Sequence, residues 1–170
     1  MPAASEPDNA VAADGASADA VPADCLLCRE VAQSIPLPGG QLVAVEHAVG
    51  FHLPPVYGDV YLGHLMVTPR RHADGFADLT DDEAADVGRA ISRLSHALKA
   101  IRATRVYTMT VGHNWPHLHV HLLPRWPDTP DDVRWSAVDE WPGAVRGGTA
   151  EIADLAARLV GRAPLTVRRR

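Results

Sequence analysis

The 170-residue chain has only two cysteines, so no disulfide framework can account for its fold. It has no apolar run near the ~18 residues that a membrane span needs. Its start lacks the basic segment and apolar centre of a secretory signal, which makes the cytoplasm the expected location. It also lacks a basic surplus: the formal net charge is -5, giving no general reason to expect binding to nucleic-acid backbones. A small nucleotide is not excluded, because a local phosphate pocket does not need a basic protein. No internal repeat is present. Hydrophobic residues make up 46% and charged residues 22%, the balance of one globular domain able to bury its own core.

Residues 1–23 are nearly all Ala, Asp, Ser, Pro, Glu and Val without an apolar period, and read as a disordered tail. Arg168-Arg169-Arg170 closes residues 164–170, read as a solvated basic tail. Between them, 41–47 and 49–53 read as short strands and 59–68 as a longer one ended by Pro69. Thr80-Asp81-Asp82-Glu83 is a capping box. Ala84, Val87, Ile91, Leu94, Leu98 and Ile101 follow at spacings of three and four, predicting an amphipathic helix to about residue 102. Residues 105–111 and 117–123 read as strands around a turn at 112–116, with Pro124 as a stop. Residues 124–148 lack periodicity and are expected to wrap over the surface, and 151–160 reads as a short helix. Strands, a long helix and further strands suit an α+β fold with helices on one side of an antiparallel sheet.

His117-Leu118-His119-Val120-His121 concentrates chemistry in five residues. On a strand the three imidazoles share one face and the aliphatic pair the other. The run could be a metal tract, a solvated face, or a set of imidazoles acting on phosphorus. The aliphatic partners and the following Leu122-Leu123 argue for a buried opposite side. Cys25-Leu26-Leu27-Cys28 supplies two of the four ligands of a tetrahedral zinc site, or simply two small apolar residues at a helix start.

The seven residues from His117 to Leu123 resemble the His-φ-His-φ-His-φ-φ signature of the histidine triad superfamily of nucleotide hydrolases and transferases, φ being a hydrophobic residue. Gly63-His64-Leu65-Met66-Val67-Thr68-Pro69-Arg70-Arg71-His72 resembles the strand end that precedes the family's long helix, and the likeness runs from Cys25 to about Arg125. The resemblance implies a histidine-triad-like fold over 24–163: about five antiparallel strands, one long helix and one or two short ones. It implies that His119 is the nucleophile toward an α-phosphorus and that His121 assists the leaving group. It also implies that His64 supports the triad and that Asn114 contacts phosphate.

His113 stands where several members carry glutamine, and is either a second phosphate donor or a loop residue. Gly112 stands where many carry an amide side chain, and the turn is short. By the same resemblance, His72 and His117 join Cys25 and Cys28 around a structural zinc, and the protein is a homodimer built through the long helix and an edge strand. Leu123-Pro124-Arg125 resembles the dinucleoside-polyphosphate branch more than the phosphoramidase branch. Nucleotidyl transfer to phosphate, nucleotide sensing with little turnover and a zinc-binding interaction module are the competing readings. Phe51 and His52 are candidates for a base pocket. Trp126, Trp135 and Trp141 would either stack on a base or pack across the sheet or an interface.

Overall fold

The computed structural model describes residues 25–113 and 115–162. The expected tails, 1–23 and 164–170, and Asn114 lie outside the described residues. In chain order the elements are α1 (Leu26–Val31), β1 (Gln41–Ala44), β2 (Ala48–His52), β3 (Val60–Tyr61), β4 (Leu65–Pro69), α2 (Asp81–Ala100), β5 (Arg105–Met109), β6 (Val120–Arg125), β7 (Arg146–Gly147) and α3 (Thr149–Arg162). Five strands form one antiparallel sheet in the order β1-β2-β4-β6-β5, as expected from sequence, and β3 pairs with β7 in a small second sheet.

Helix α2 begins where its capping box predicts. Thr80 Oγ1 accepts from the Glu83 amide, and the Glu83 carboxylate accepts from the Thr80 amide, so two otherwise orphaned donors are satisfied together. The buried stripe differs in detail from the sequence pattern. Ala84 is exposed, and Ala90 and Ala97 join Val87, Leu94 and Leu98 against Leu65, Val67, Val120 and Leu122 of the sheet. Small residues there let the helix lie close to the strands. Helix α1 covers the opposite face, where Leu27 packs with Val49, Phe51 and Met66. With both faces covered, β2 and β4 are buried along their whole length.

Three expectations change. The single strand expected over 59–68 is two strands, because Gly63 turns the chain at φ +97°, in the left-handed region that a side chain disfavours. A Cβ there would stand 2.7 Å from Pro124 Cγ and 2.8 Å from Trp126 Cζ2. Strand β6 begins at Val120, not His117, and runs through Pro124. Pro124 is tolerated because β6 pairs with β4 only as far as Leu122, leaving that side free where the proline lacks its N–H. Residues 124–148 do more than wrap the surface: Val138 is buried with Tyr61 and Leu123, and Trp126 Nε1 donates to the Leu62 carbonyl at 3.1 Å.

Candidate active site

His117 and His119 occupy an extended approach to β6, fixed by non-local bonds that alternation alone does not reveal. The Leu118 amide donates to Ala73 O at 2.6 Å, Thr68 Oγ1 donates to Leu118 O at 2.8 Å, and Thr110 Oγ1 donates to His119 O at 2.8 Å. Leu118 and Val120 are buried, so the aliphatic side of the run faces inward as its pattern predicts.

His119 Nδ1 lies 2.7 Å from the carbonyl oxygen of His117. A carbonyl only accepts, so Nδ1 carries a hydrogen, and the neutral tautomer with this bond has its lone pair on Nε2. The His121 ring stands edge-on to that of His119, with centroids 4.9 Å apart. His121 Nδ1 lies 2.9 Å from His64 Nε2. Burial pushes the His64 imidazole down to about 3, with the neighbouring His121 and His52 adding to the effect. Burial, reinforced by His119, pushes His121 down to about 4. Two neutral rings therefore share a single proton across their hydrogen bond.

His52 supports this group from behind and does not reach a pocket. Its Nε2 accepts from the Gly63 amide at 2.9 Å, and its Nδ1 donates to Leu53 O at 2.8 Å, which fixes a neutral tautomer. Phe51 is also fully buried. Both are corrected as base-pocket candidates. His113 is exposed and does not line the cavity described below.

On the other side of His117, the potential ligand atoms of Cys25, Cys28, His72 and His117 lie within 4.8 Å of one another. Cys25 is the N-cap of α1 and Cys28 lies one turn on, so the short helix presents both sulfurs to one point. His117 Nδ1 lies 3.4 Å from Cys25 Sγ and 3.3 Å from Cys28 Sγ, and His72 Nδ1 lies 3.4 Å from Cys28 Sγ. The far nitrogens are engaged elsewhere: His117 Nε2 faces Pro69 O at 3.3 Å, and His72 Nε2 faces Asp74 Oδ1 at 3.4 Å. Such outer contacts leave both Nδ1 lone pairs aimed at the sulfurs. Burial and the adjacent Cys25 push the Cys28 thiol up to about 12.

A cavity of about 310 Å³ runs from α1 to the triad. Leu26, Leu27, Leu53 and Met66 give it apolar lining, and Trp115, His119 and His121 line it too, His121 being the cross-strand partner of Met66. Glu30, also on its wall, is 1% exposed, and its Oε2 has no hydrogen-bond partner. Burial pushes this carboxyl up to about 7. An unsatisfied buried acceptor typically costs about 1–3 kcal/mol. Sequence reasoning missed Glu30 because a charged residue two places after a cysteine reads as the solvated side of a helix. Trp115 was read only as part of a turn. Trp126 packs beside the core, and Trp135 is half-exposed near Tyr107, with ring centroids 6.3 Å apart, so neither lines this cavity.

Residues 60–128 match the model of the HIT domain family. A bifunctional bis(5'-adenosyl)-triphosphatase/adenylylsulfatase of Arabidopsis thaliana is 32% identical over 68 residues, 36% of this chain and 38% of that protein. An AP-4-A phosphorylase of Mycobacterium tuberculosis is 36% identical over 73 residues, 38% of this chain and 36% of that protein. The chain thus spans well under half the length of these two relatives. Among solved structures, a Zn-bound histidine triad family protein from Mycobacterium smegmatis superposes with a TM-score of 0.59 at 18% identity, covering 81% of this chain and 94% of that one. The matched segment holds the triad, and the fold is that of the solved histidine triad structure: residues 60–128 are similar to a HIT domain.

Proposed function

We propose that the protein is a nucleotidyl hydrolase or transferase acting at the α-phosphorus of a dinucleoside polyphosphate or an adenylated small molecule. The observation that carries this reading is the bond from His119 Nδ1 to His117 O, which in the neutral ring leaves the lone pair on Nε2, with the His119 and His121 rings edge-on to each other on the cavity lining. His119 Nε2 attacks phosphorus, the bond to the leaving oxygen breaks, and His121 gives that oxygen a proton. Water then cleaves the phosphorus–nitrogen bond and releases a nucleoside monophosphate. His64 holds the far side of His121, while Asn114 and His113 belong to the same proposal as phosphate contacts, on the family pattern of the sequence alone.

Phosphate as the second acceptor is the alternative favoured by the likeness to an AP-4-A phosphorylase, and would release a nucleoside diphosphate from the same intermediate. Cys25, Cys28, His72 and His117 would hold a structural zinc. Two sulfurs and two imidazole nitrogens are a tetrahedral zinc donor set, and a cation there would offset the cost of ionising the buried Cys28. Four protein ligands close the site, so the metal has no part in the chemistry.

The test is diadenosine tetraphosphate turnover with and without phosphate, comparing wild type with His119→Ala. AMP, or ADP when phosphate is added, is expected from the wild type. His119→Ala should lose at least about a hundredfold in rate. Equal turnover by the variant would remove His119 as the nucleophile. Binding without turnover by the wild type would favour a nucleotide sensor.

A further inference from the structure

We infer that Glu30 selects the base: its buried carboxyl accepts a hydrogen from the exocyclic amino group of a nucleobase seated in the cavity. The inference rests on the nucleotide reading above and adds which nucleotides the cavity takes.

Three observations carry it. Glu30 lies on the cavity wall among Leu26, Leu27, Leu53 and Met66, apolar side chains that suit the faces of a flat ring and offer nothing to its polar edge. Its carboxyl is sealed from solvent, yet Oε2 receives no hydrogen bond from the protein. Acidic groups are rarely buried so completely unless paired, so the missing partner is a donor brought by the ligand. The other polar side chains of the lining differ: Tyr57, Asp59 and Trp115 are exposed, so ribose hydroxyls can meet a solvated Asp59 carboxylate, and His119 and His121 are the proposed phosphate groups. Glu30 is the sealed carboxyl beside the apolar lining, which is where a base would sit.

Adenine, guanine and cytosine each carry an exocyclic amino group with hydrogens to donate, whereas hypoxanthine and unsubstituted purine carry none. An apolar slot alone separates such rings poorly. A buried group awaiting a hydrogen bond separates them well, because the ligand without the donor leaves it unpaired.

Calorimetric titration of the full chain tests this with two matched pairs: AMP against purine riboside 5'-monophosphate, and GMP against IMP. Wild type should bind the amino-bearing member of at least one pair about tenfold or more tightly. Glu30→Leu, similar in size, should bind both members of that pair alike and melt no lower than wild type. Glu30→Gln keeps a carbonyl acceptor and should keep part of the preference, which decides the matter if the leucine variant does not fold. Equal affinities within both pairs in wild type would overturn the base contact and leave the nucleotide reading standing. No binding of any of the four would overturn both. Should Glu30→Leu instead change the ratio between AMP and its 2'-deoxy analogue, the carboxyl meets the sugar and the proposal fails.

Discussion

His121 and His64 face each other across 2.9 Å, and with both rings neutral only one of the two nitrogens can bear the hydrogen. If His64 donates, His121 keeps its proton on Nε2 and can pass it to a leaving group. His64 is then a positioning residue for the acid. Replacing it with phenylalanine keeps a ring in the space but removes the bond, and should lower kcat about tenfold with little change in KM. The same substitution has a signature in stability. The folded protein holds His64 and His121 neutral down to about 3 and about 4, whereas the unfolded chain takes up protons on both near 6.5. Unfolding therefore binds protons in that window, and stability falls as the pH drops from about 6.5 toward 4. Each histidine contributes a slope of up to about 1.4 kcal/mol per pH unit. Urea midpoints measured from neutral to mildly acid pH should show a shallower decline in His64→Phe. An unchanged slope would mean that folded His64 is already protonated.

At the scale of elements, the short turn between β3 and β4 does work that the sequence disguises. Residues 59–68 alternate as one strand would, and Gly63 inside that pattern looks like a weak point rather than a bend. Its positive φ and its closeness to Pro124 and Trp126 become visible only when the C-terminal segment is in place. The turn delivers the Gly63 amide to His52 and sets His64 beside His121. Gly63→Ala would add both backbone strain and a clash, costing about 2–3 kcal/mol. Chemical denaturation should register that loss, together with a fall in turnover as His64 shifts. Full stability in the variant would show that the turn has room to relax. The long helix, by contrast, was legible to within about two residues at each end, because its capping box and apolar period are local signals. The start of β6 was not, since Leu118 is held by Ala73 and Thr68, far away in the chain.

Over the whole molecule, α1 is the element with least to hold it. It has six residues, too few to be stable alone, yet it supplies Leu26, Leu27 and Glu30 to one wall of the cavity and both sulfurs to the Cys–His cluster. Its apolar contacts with Phe51 and Met66 hold one side, and the cluster ties the other to His117, two residues before His119. The four members of that cluster were legible from the family pattern, because spacing and residue type survive without a structure. The unpaired Glu30 was not, since its burial depends on the docking of the whole helix. This arrangement makes the proposed zinc a condition for the cavity rather than for the sheet, whose core under α2 is independent of it. Metal analysis should find about one zinc per chain, lost in Cys28→Ser. Chelation should leave far-ultraviolet circular dichroism nearly intact while weakening AMP binding. A loss of about 3 kcal/mol would lower the melting temperature by about 6–12 °C. Global unfolding on chelation would instead place the metal at the centre of folding. Unchanged AMP affinity in the metal-free protein would show that apolar packing alone holds α1, and with it Glu30, against the sheet.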